Sequence, residues 1–317
     1  MAIDTINVGV SSCLLGNPVR YDGGHKHDRY ITGVLAGYFN FIPVCPEVEC
    51  GLPVPREAMR LVGEEEDPAL MTIRSKVDLT KQMRDYSDKR VKELEKDNLC
   101  GFIFKKDSPS SGLYRVKVYL NENNSVKKGQ GLFAAAFVRN FPLVPVEEEG
   151  RLQDAALREN FLERVFCYNR WKIFLEDNPD YKKLISFHTD HKLQLMAHSP
   201  KHYREAGKLV AAGKNTAKDE LLKSYESNLM EALELRATNK KNVNVLQHIM
   251  GYFKKIISGD EKAELLEIFD RYKRESVPLV VPLTLINHYV RKYDISYLKG
   301  QTYLEPHPSE LMLRNQV

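Results

Sequence analysis

The sequence predicts an α/β domain followed by an all-α domain. Over residues 1–150, short apolar runs ending in polar turns alternate with stretches of helical spacing, the pattern of parallel βαβ units. Beyond residue 150 almost only helical periodicity remains. At 317 residues the chain is long for one domain and comfortable for two.

In chain order, Ile6–Ser11 is an apolar run that closes on a polar turn, and Tyr30–Phe39 has helical spacing. Phe41–Cys45 is strand-like and ends in Cys-Pro. Asp78–Asp97 is charged and free of glycine, with Leu79, Met83, Tyr86, Val91 and Leu94 on roughly one helical face. Gly101–Phe104 reads as a third strand, Gly131–Arg139 as a helix and Leu143–Val146 as a fourth strand. A mostly parallel, Rossmann-like sheet follows from this alternation. The acidic turn Glu147-Glu148-Glu149-Gly150 marks the expected boundary, giving domains over 1–148 and 149–317. Helices are then expected over Leu152–Phe174, Tyr181–Met196, His202–Ala212, Thr216–Ala237, Asn242–Ile257, Glu261–Glu275, Leu283–Val290 and Ile295–Tyr303.

Composition narrows the function classes. Hydrophobic residues make up 43% of the chain, enough for a core without disulfide staples. No apolar run reaches the roughly 18 residues that span a bilayer, and Met1–Val10 has no secretory pattern, so a cytoplasmic protein is expected. The five cysteines, 13, 45, 50, 100 and 167, are odd in number and widely spaced, which suits ligands, nucleophiles or buried filler better than a disulfide framework. Residues 1–150 carry 20 basic and 21 acidic side chains, whereas the remainder has 27 and 22. A mildly basic second half suits an anionic partner such as RNA.

Ligands of open parallel sheets bind beyond the carboxyl ends of the strands. Three loops reach that edge: Ser11–Gly16, Cys45–Gly51 and Lys106–Gly112. Together they bring Cys13, Cys45, Cys50, Glu47 and several hydroxyls to one rim. Cys100 starts its strand at the opposite edge and Cys167 lies within a helix, so both read as filler. Thiolates suit iron–sulfur clusters, zinc or copper(I), and without a Cys-x-x-Cys the spacing names none of them. His25-Lys26-His27-Asp28 and Gly129-Gln130-Gly131 read as turns rather than as metal or phosphate sites.

Three ordered motifs narrow the choice. Ser11–Gly16 with Arg20–His25, Val44–Val48 with Gly51–Arg56, and Ser108-Pro109-Ser110-x-Gly112 resemble the thiouracil desulfidase family across nearly all of residues 1–145. Phe166–Tyr168, Leu195–His198, Asn244–His248, Gly251–Lys254 and Gln301-x-Tyr303-Leu304 resemble the helical YbgA-like domain often fused to it. The combination looks like fused desulfidases that act on 4-thiouridine in tRNA. The resemblance implies a 4Fe-4S cluster held by three cysteines with one iron open. Carried over, Cys13 and Cys45 are two ligands, and the third falls at Ser111, where an alcohol replaces the thiol. Cys50 is the one neighbour able to substitute. The implied catalytic residues are Glu47, which moves protons, and Ser108, which orients water or the base.

The segment Arg236–Lys255 supplies candidate RNA contacts at Lys240, Lys241, Lys254 and Lys255, with Tyr252 and Phe253 between them, and Arg274 follows in Arg271–Arg274. The expected function is removal of sulfur from a thiolated uracil, in tRNA or as free thiouracil, at a cluster weakened by Ser111. The rival expectations are a non-catalytic RNA-binding or redox-responsive protein, and a zinc hydrolase using Cys13, Cys45 and Cys50.

Overall fold

The computed structural model describes residues 6–315. Two compact units meet between Asp154 and Ala155. The first comprises β1 (Ile6–Ser11), β2 (Phe39–Val44), α1 (Pro46–Glu49), β3 (Met59–Val62), β4 (Ala69–Thr72), α2 (Thr80–Leu94), β5 (Gly101–Phe104), β6 (Val116–Tyr119), β7 (Ser125–Gly129), α3 (Leu132–Asn140) and β8 (Val146–Glu148). Its main sheet has the order β2-β1-β5-β8 and is parallel throughout, as expected. Ser11 lies opposite Val44 and Val10 opposite Ile103, so three strands end at one edge. Phe102 and Phe104 stack at 4.2 Å between ring centroids, and Phe137 of α3 packs 4.7 Å from Phe102, which fastens α3 to the sheet.

Four differences from the expected elements have physical causes. Tyr30–Val34 and Leu35–Gly37 are irregular turns rather than one α-helix, for Gly33 and Gly37 interrupt the run. The fourth strand is Val146–Glu148, later than the apolar run suggested, because its carboxylates have internal partners. Glu148 Oε1 accepts N–H bonds from Leu113 (2.8 Å) and Tyr114 (3.1 Å), and Glu147 pairs with Arg151. A second sheet, β4-β3-β6-β7, carries no apolar signal strong enough to predict it. It pairs β3 with β4 and β6 with β7 antiparallel, and β3 with β6 parallel. Finally, the run toward Tyr303 forms only a short helix, Ser296–Lys299.

The second unit is all helix and turn. Its elements are α4 (Ala155–Glu176), α5 (Tyr181–His198), α6 (Pro200–Ala212), α7 (Lys218–Glu234), α8 (Asn239–Met250), α9 (Gly259–Lys273), α10 (Val280–Lys292) and α11 (Ser296–Lys299). Side chains cap their starts: Asp180 accepts from Lys183 N, Ser199 from His202 N, and Ser258 and Glu261 form a capping box on α9. Leu246, Ile249, Phe253, Leu265, Phe269 and Ile286 are among its core residues. Among the described residues no helix is long and apolar enough to cross a membrane.

Candidate active site

β1 runs into a tight turn, Ser12–Leu15, that places Cys13 beyond the sheet edge. The Cys13 carbonyl accepts N–H bonds from Lys26 (2.9 Å) and Gly16 (3.3 Å), and Ser11 Oγ accepts one from Lys105 N (2.8 Å). The loop after β1 is thereby tied to the loop after β5. Cys45 precedes α1, its N–H donating to Glu49 Oε1 at 2.7 Å. Tyr86 OH holds the other oxygen of Glu49 at 2.6 Å, so Glu49 fixes the start of α1. Glu47, on the first turn of α1, therefore faces the same cavity as Cys45.

That cavity has a volume of about 410 Å³ and is lined by Cys13, Cys45, Glu47, Arg56, Ser108, Ser110 and Ser111, among others. The structure thus brings together the three family ligand positions and both expected catalytic residues. Cys50 lies outside the lining. Its thiol donates to the Glu47 carbonyl at 3.2 Å and its side chain packs against the core of the second sheet. Its expected part as a substitute ligand, in the cluster or the zinc reading, requires this thiol to leave the Glu47 carbonyl and turn into the cavity. Cys100 and Cys167 are buried as filler.

Two residues missed in the sequence complete the polar framework. Arg56 donates to Glu47 Oε2 from Nε at 3.0 Å and also from Nη2, while Nη2 reaches the Val19 carbonyl at 3.0 Å. Ser110 Oγ donates to Glu47 Oε1 at 2.8 Å and lies 3.0 Å from Ser108 Oγ. Glu47 is held on both oxygens, with a hydroxyl relay leading from one of them. The only advance signal for Arg56 was its place at the end of the Gly51–Arg56 motif, and Ser110 had none beyond the motif.

The serine loop owes its shape to close backbone contacts. Ser108 Oγ accepts from Ser111 N at 3.1 Å, and the Ser110 carbonyl accepts from Phe133 N (2.9 Å) and Ala134 N (3.2 Å) at the start of α3. A Cβ on Gly131 would lie 2.5 Å from the Ser110 carbonyl, and one on Gly112 would lie 2.7 Å from the Ser108 carbonyl oxygen. Only glycine lets these strands of backbone touch.

Burial pushes the Cys13 thiol up to about 11, against the pull of Lys105, and burial also raises Cys45. Both are thiols at neutral pH until a metal displaces their protons. Among the described residues no three His, Cys, Asp or Glu side chains cluster as a metal site. The donor set is two thiols and the Ser111 hydroxyl. It meets a cluster held by three thiolates at two positions and departs from it at the third, because an alkyl alcohol is a hard, weakly acidic donor.

The other expected contacts lie in the second unit. Lys240, Lys254 and Lys255 are exposed, as is Tyr252. Lys241 Nζ is held by the carbonyls of His198 (2.6 Å) and Arg236 (3.0 Å), and Arg274 pairs with Asp270 at 2.8 Å. Phe253 and Tyr272 are core. Tyr252 stacks on Tyr297 at 4.8 Å, and Lys192 lies 4.9 Å over the Tyr297 ring.

Two family models match separate stretches of the chain. Residues 8–149 match the family described as 2-thiouracil desulfurase, and residues 192–308 match a family described as protein of unknown function, DUF1722. The uncharacterized protein YbgA of Escherichia coli (strain K12) is 31% identical over 158 residues, half of this chain and 94% of that protein. A solved structure of a [4Fe-4S]-dependent thiouracil desulfidase, TudS, is 29% identical over 49% of this chain and 97% of its own, with a TM-score of 0.40. The chain carries a desulfurase-type α/β domain joined to a helical domain. It belongs to the YbgA family, with a 2-thiouracil desulfurase domain on the same polypeptide.

Proposed function

We propose that the cavity binds a thiolated uracil and that the chain replaces the thiocarbonyl sulfur by oxygen, with 4-thiouridine in tRNA as the substrate. The carrying observation is the convergence of Cys13, Cys45 and the Arg56–Glu47–Ser110–Ser108 chain on one cavity within a 2-thiouracil desulfurase domain. Water adds to the thiocarbonyl carbon, the carbon–sulfur bond breaks, and the products are a uracil carbonyl and hydrogen sulfide. Glu47 Oε1 takes the proton of the attacking water, directly or through Ser110 Oγ, and Ser108 Oγ orients that water. Arg56 keeps Glu47 aimed into the cavity.

The cofactor of this reading is a 4Fe-4S cluster, with Cys13 and Cys45 as the ligands the chain retains. Ser111 limits loading, so the chain as it stands is a low-activity form. Ser111→Cys restores the third thiol. After anaerobic reconstitution it is expected to raise bound iron and the visible absorbance of a thiolate-held cluster several-fold. Sulfide release from thiouracil rises with them; iron content and sulfide release both unchanged would refute the reading.

For tRNA, the supporting surface is the exposed Tyr252, stacked on the half-buried Tyr297 beside Lys192, with Lys254 and Lys255 near in sequence. Bases stack on aromatic faces while lysines meet phosphates, and the thiolated base is flipped out of its stack to react. Replacing Lys254 and Lys255 by Gln weakens tRNA binding and lowers the slope of log affinity against log salt by about 2, roughly one per phosphate contact. An unaltered slope removes these lysines from the interface.

A further inference from the structure

One flat surface of the cavity takes no part in the proton transfers. Among the described residues that line the cavity, Tyr21 is the only aromatic one, and it is 43% exposed. Its place is fixed by the backbone on both sides. The Tyr21 carbonyl accepts from Arg56 N at 2.8 Å. A tight turn closes over the residues that follow, with Gly23 N donating to the Arg20 carbonyl (3.0 Å) and Arg20 N to the Gly24 carbonyl (3.1 Å). Gly23 sits at φ 77°, in the left-handed region that glycine enters without steric cost.

The ring is also backed by a side chain. Asp22 takes the Arg20 guanidinium on both oxygens, from Nε at 3.3 Å and from Nη2 at 3.2 Å, and its Oδ1 accepts from Gly24 N at 3.0 Å. This fork holds Arg20 Cζ over the Tyr21 ring, 5.3 Å from its centre. The charge of Arg20 is matched by Asp22, so the guanidinium serves as a support for the ring. Arg56 links this surface to the chemistry. Its backbone N–H holds Tyr21, and its Nε holds Glu47 Oε2 at 3.0 Å. One residue therefore ties the aromatic surface to the carboxylate that moves the proton.

We propose that Tyr21 stacks on the pyrimidine ring of the substrate, through the face that Arg20 does not cover, and so selects a planar heterocyclic thiocarbonyl over an open-chain one. The assignment rests on the desulfidase reading for the reaction served. Stacking itself involves neither the sulfur nor a cluster, because every base has a π face. Uracil and 4-thiouracil therefore both use this surface, whereas thioacetamide, with the thiocarbonyl and no ring, does not.

The test is calorimetric titration of the full chain, without added iron, with 4-thiouracil, uracil and thioacetamide. The expected result is saturable binding of both pyrimidines and at least tenfold weaker binding of thioacetamide. Tyr21→Leu keeps apolar bulk and removes the ring, and is expected to weaken both pyrimidines roughly tenfold to hundredfold, the range of a lost base–aromatic stack. Tyr21→Phe keeps the ring and is expected to bind within about threefold of the unaltered chain. In the Ser111→Cys background, Tyr21→Leu raises KM for 4-thiouracil roughly tenfold or more, by a larger factor than any fall in kcat. A defect of folding alone would lower the active fraction, and hence kcat, and leave KM in place. No saturable binding of either pyrimidine, equal binding of thioacetamide, or equal binding by the Tyr21→Leu and Tyr21→Phe chains overturns the assignment. Binding that depends on Tyr21, with no sulfide released by the Ser111→Cys chain, would sink the desulfidase reading and leave the stacking residue standing.

Discussion

Glu47 and Arg56 form the tightest ion pair of the cavity, with side chains only 14% and 5% exposed. Desolvation offsets much of the attraction in a pair shielded from water, so its value is in aim rather than in net stability. In the Ser111→Cys background, Glu47→Gln is expected to lower turnover by about 10²–10⁴-fold, the usual contribution of a positioned acid–base group. Arg56→Lys keeps the charge and loses the two-pronged grip, so kcat falls roughly tenfold with KM little changed. An equal rise in KM would instead make Arg56 a substrate-binding residue. All four residues stand inside the quoted motifs, but the resemblance implies a role only for Glu47 and Ser108. The parts of Ser110 and Arg56 arise from contacts between loops, which the motifs do not show: Ser110 meets Glu47 across 63 positions of sequence.

Among the elements, the serine loop depends on α3 standing directly behind it. Gly131→Ala forces a methyl into the Ser110 backbone, with an expected cost of about 1–3 kcal/mol by urea unfolding. The loop moves with it, so cluster loading in the Ser111→Cys background falls as well; a loss of stability without loss of loading would separate the two. β1 and β5 were readable because nearly every residue of each is buried, which makes a continuous apolar run, and α2 because it buries one face at helical spacing. β7, Ser-Val-Lys-Lys-Gly, was not: it buries only Gly129 fully, and pairing with β6 makes it a strand. The fourth strand was expected but set too early for a related reason, since the buried carboxylates of β8 read as solvated until their N–H and guanidinium partners are known.

At the scale of the whole molecule, the excess of basic residues in the second half is real yet conceals a buried acidic network. Burial raises the Glu159 carboxyl to about 7, against the pull of Arg314. Glu163 resists burial because His198 and then Arg314 hold it below the usual carboxylate range. A carboxyl that binds its proton more tightly folded than unfolded stabilises the fold at low pH, and that stability is lost as pH rises from about 4.5 to about 7. The second unit is therefore expected to lose up to about tenfold in its folding constant per pH unit across that window, a slope that Glu159→Gln removes. Thermal melts that are flat from pH 5 to 7, or equally steep in the variant, would assign the titration elsewhere. The division into an α/β and a helical unit was legible in the change of periodicity near residue 150, whereas this network was not, because its members are spread from Glu159 to Arg314.

The central claim, that Ser111 holds back a thiouracil-desulfurase site whose other parts are in place, meets its most direct test in one paired measurement. The chain and its Ser111→Cys variant are reconstituted anaerobically with iron and sulfide, assayed for bound iron, and incubated with 4-thiouridine-containing tRNA and with free thiouracil. The account predicts more iron and faster loss of the thiocarbonyl absorbance in the variant, on tRNA above all. Equal iron and equal rates in the two proteins would contradict it.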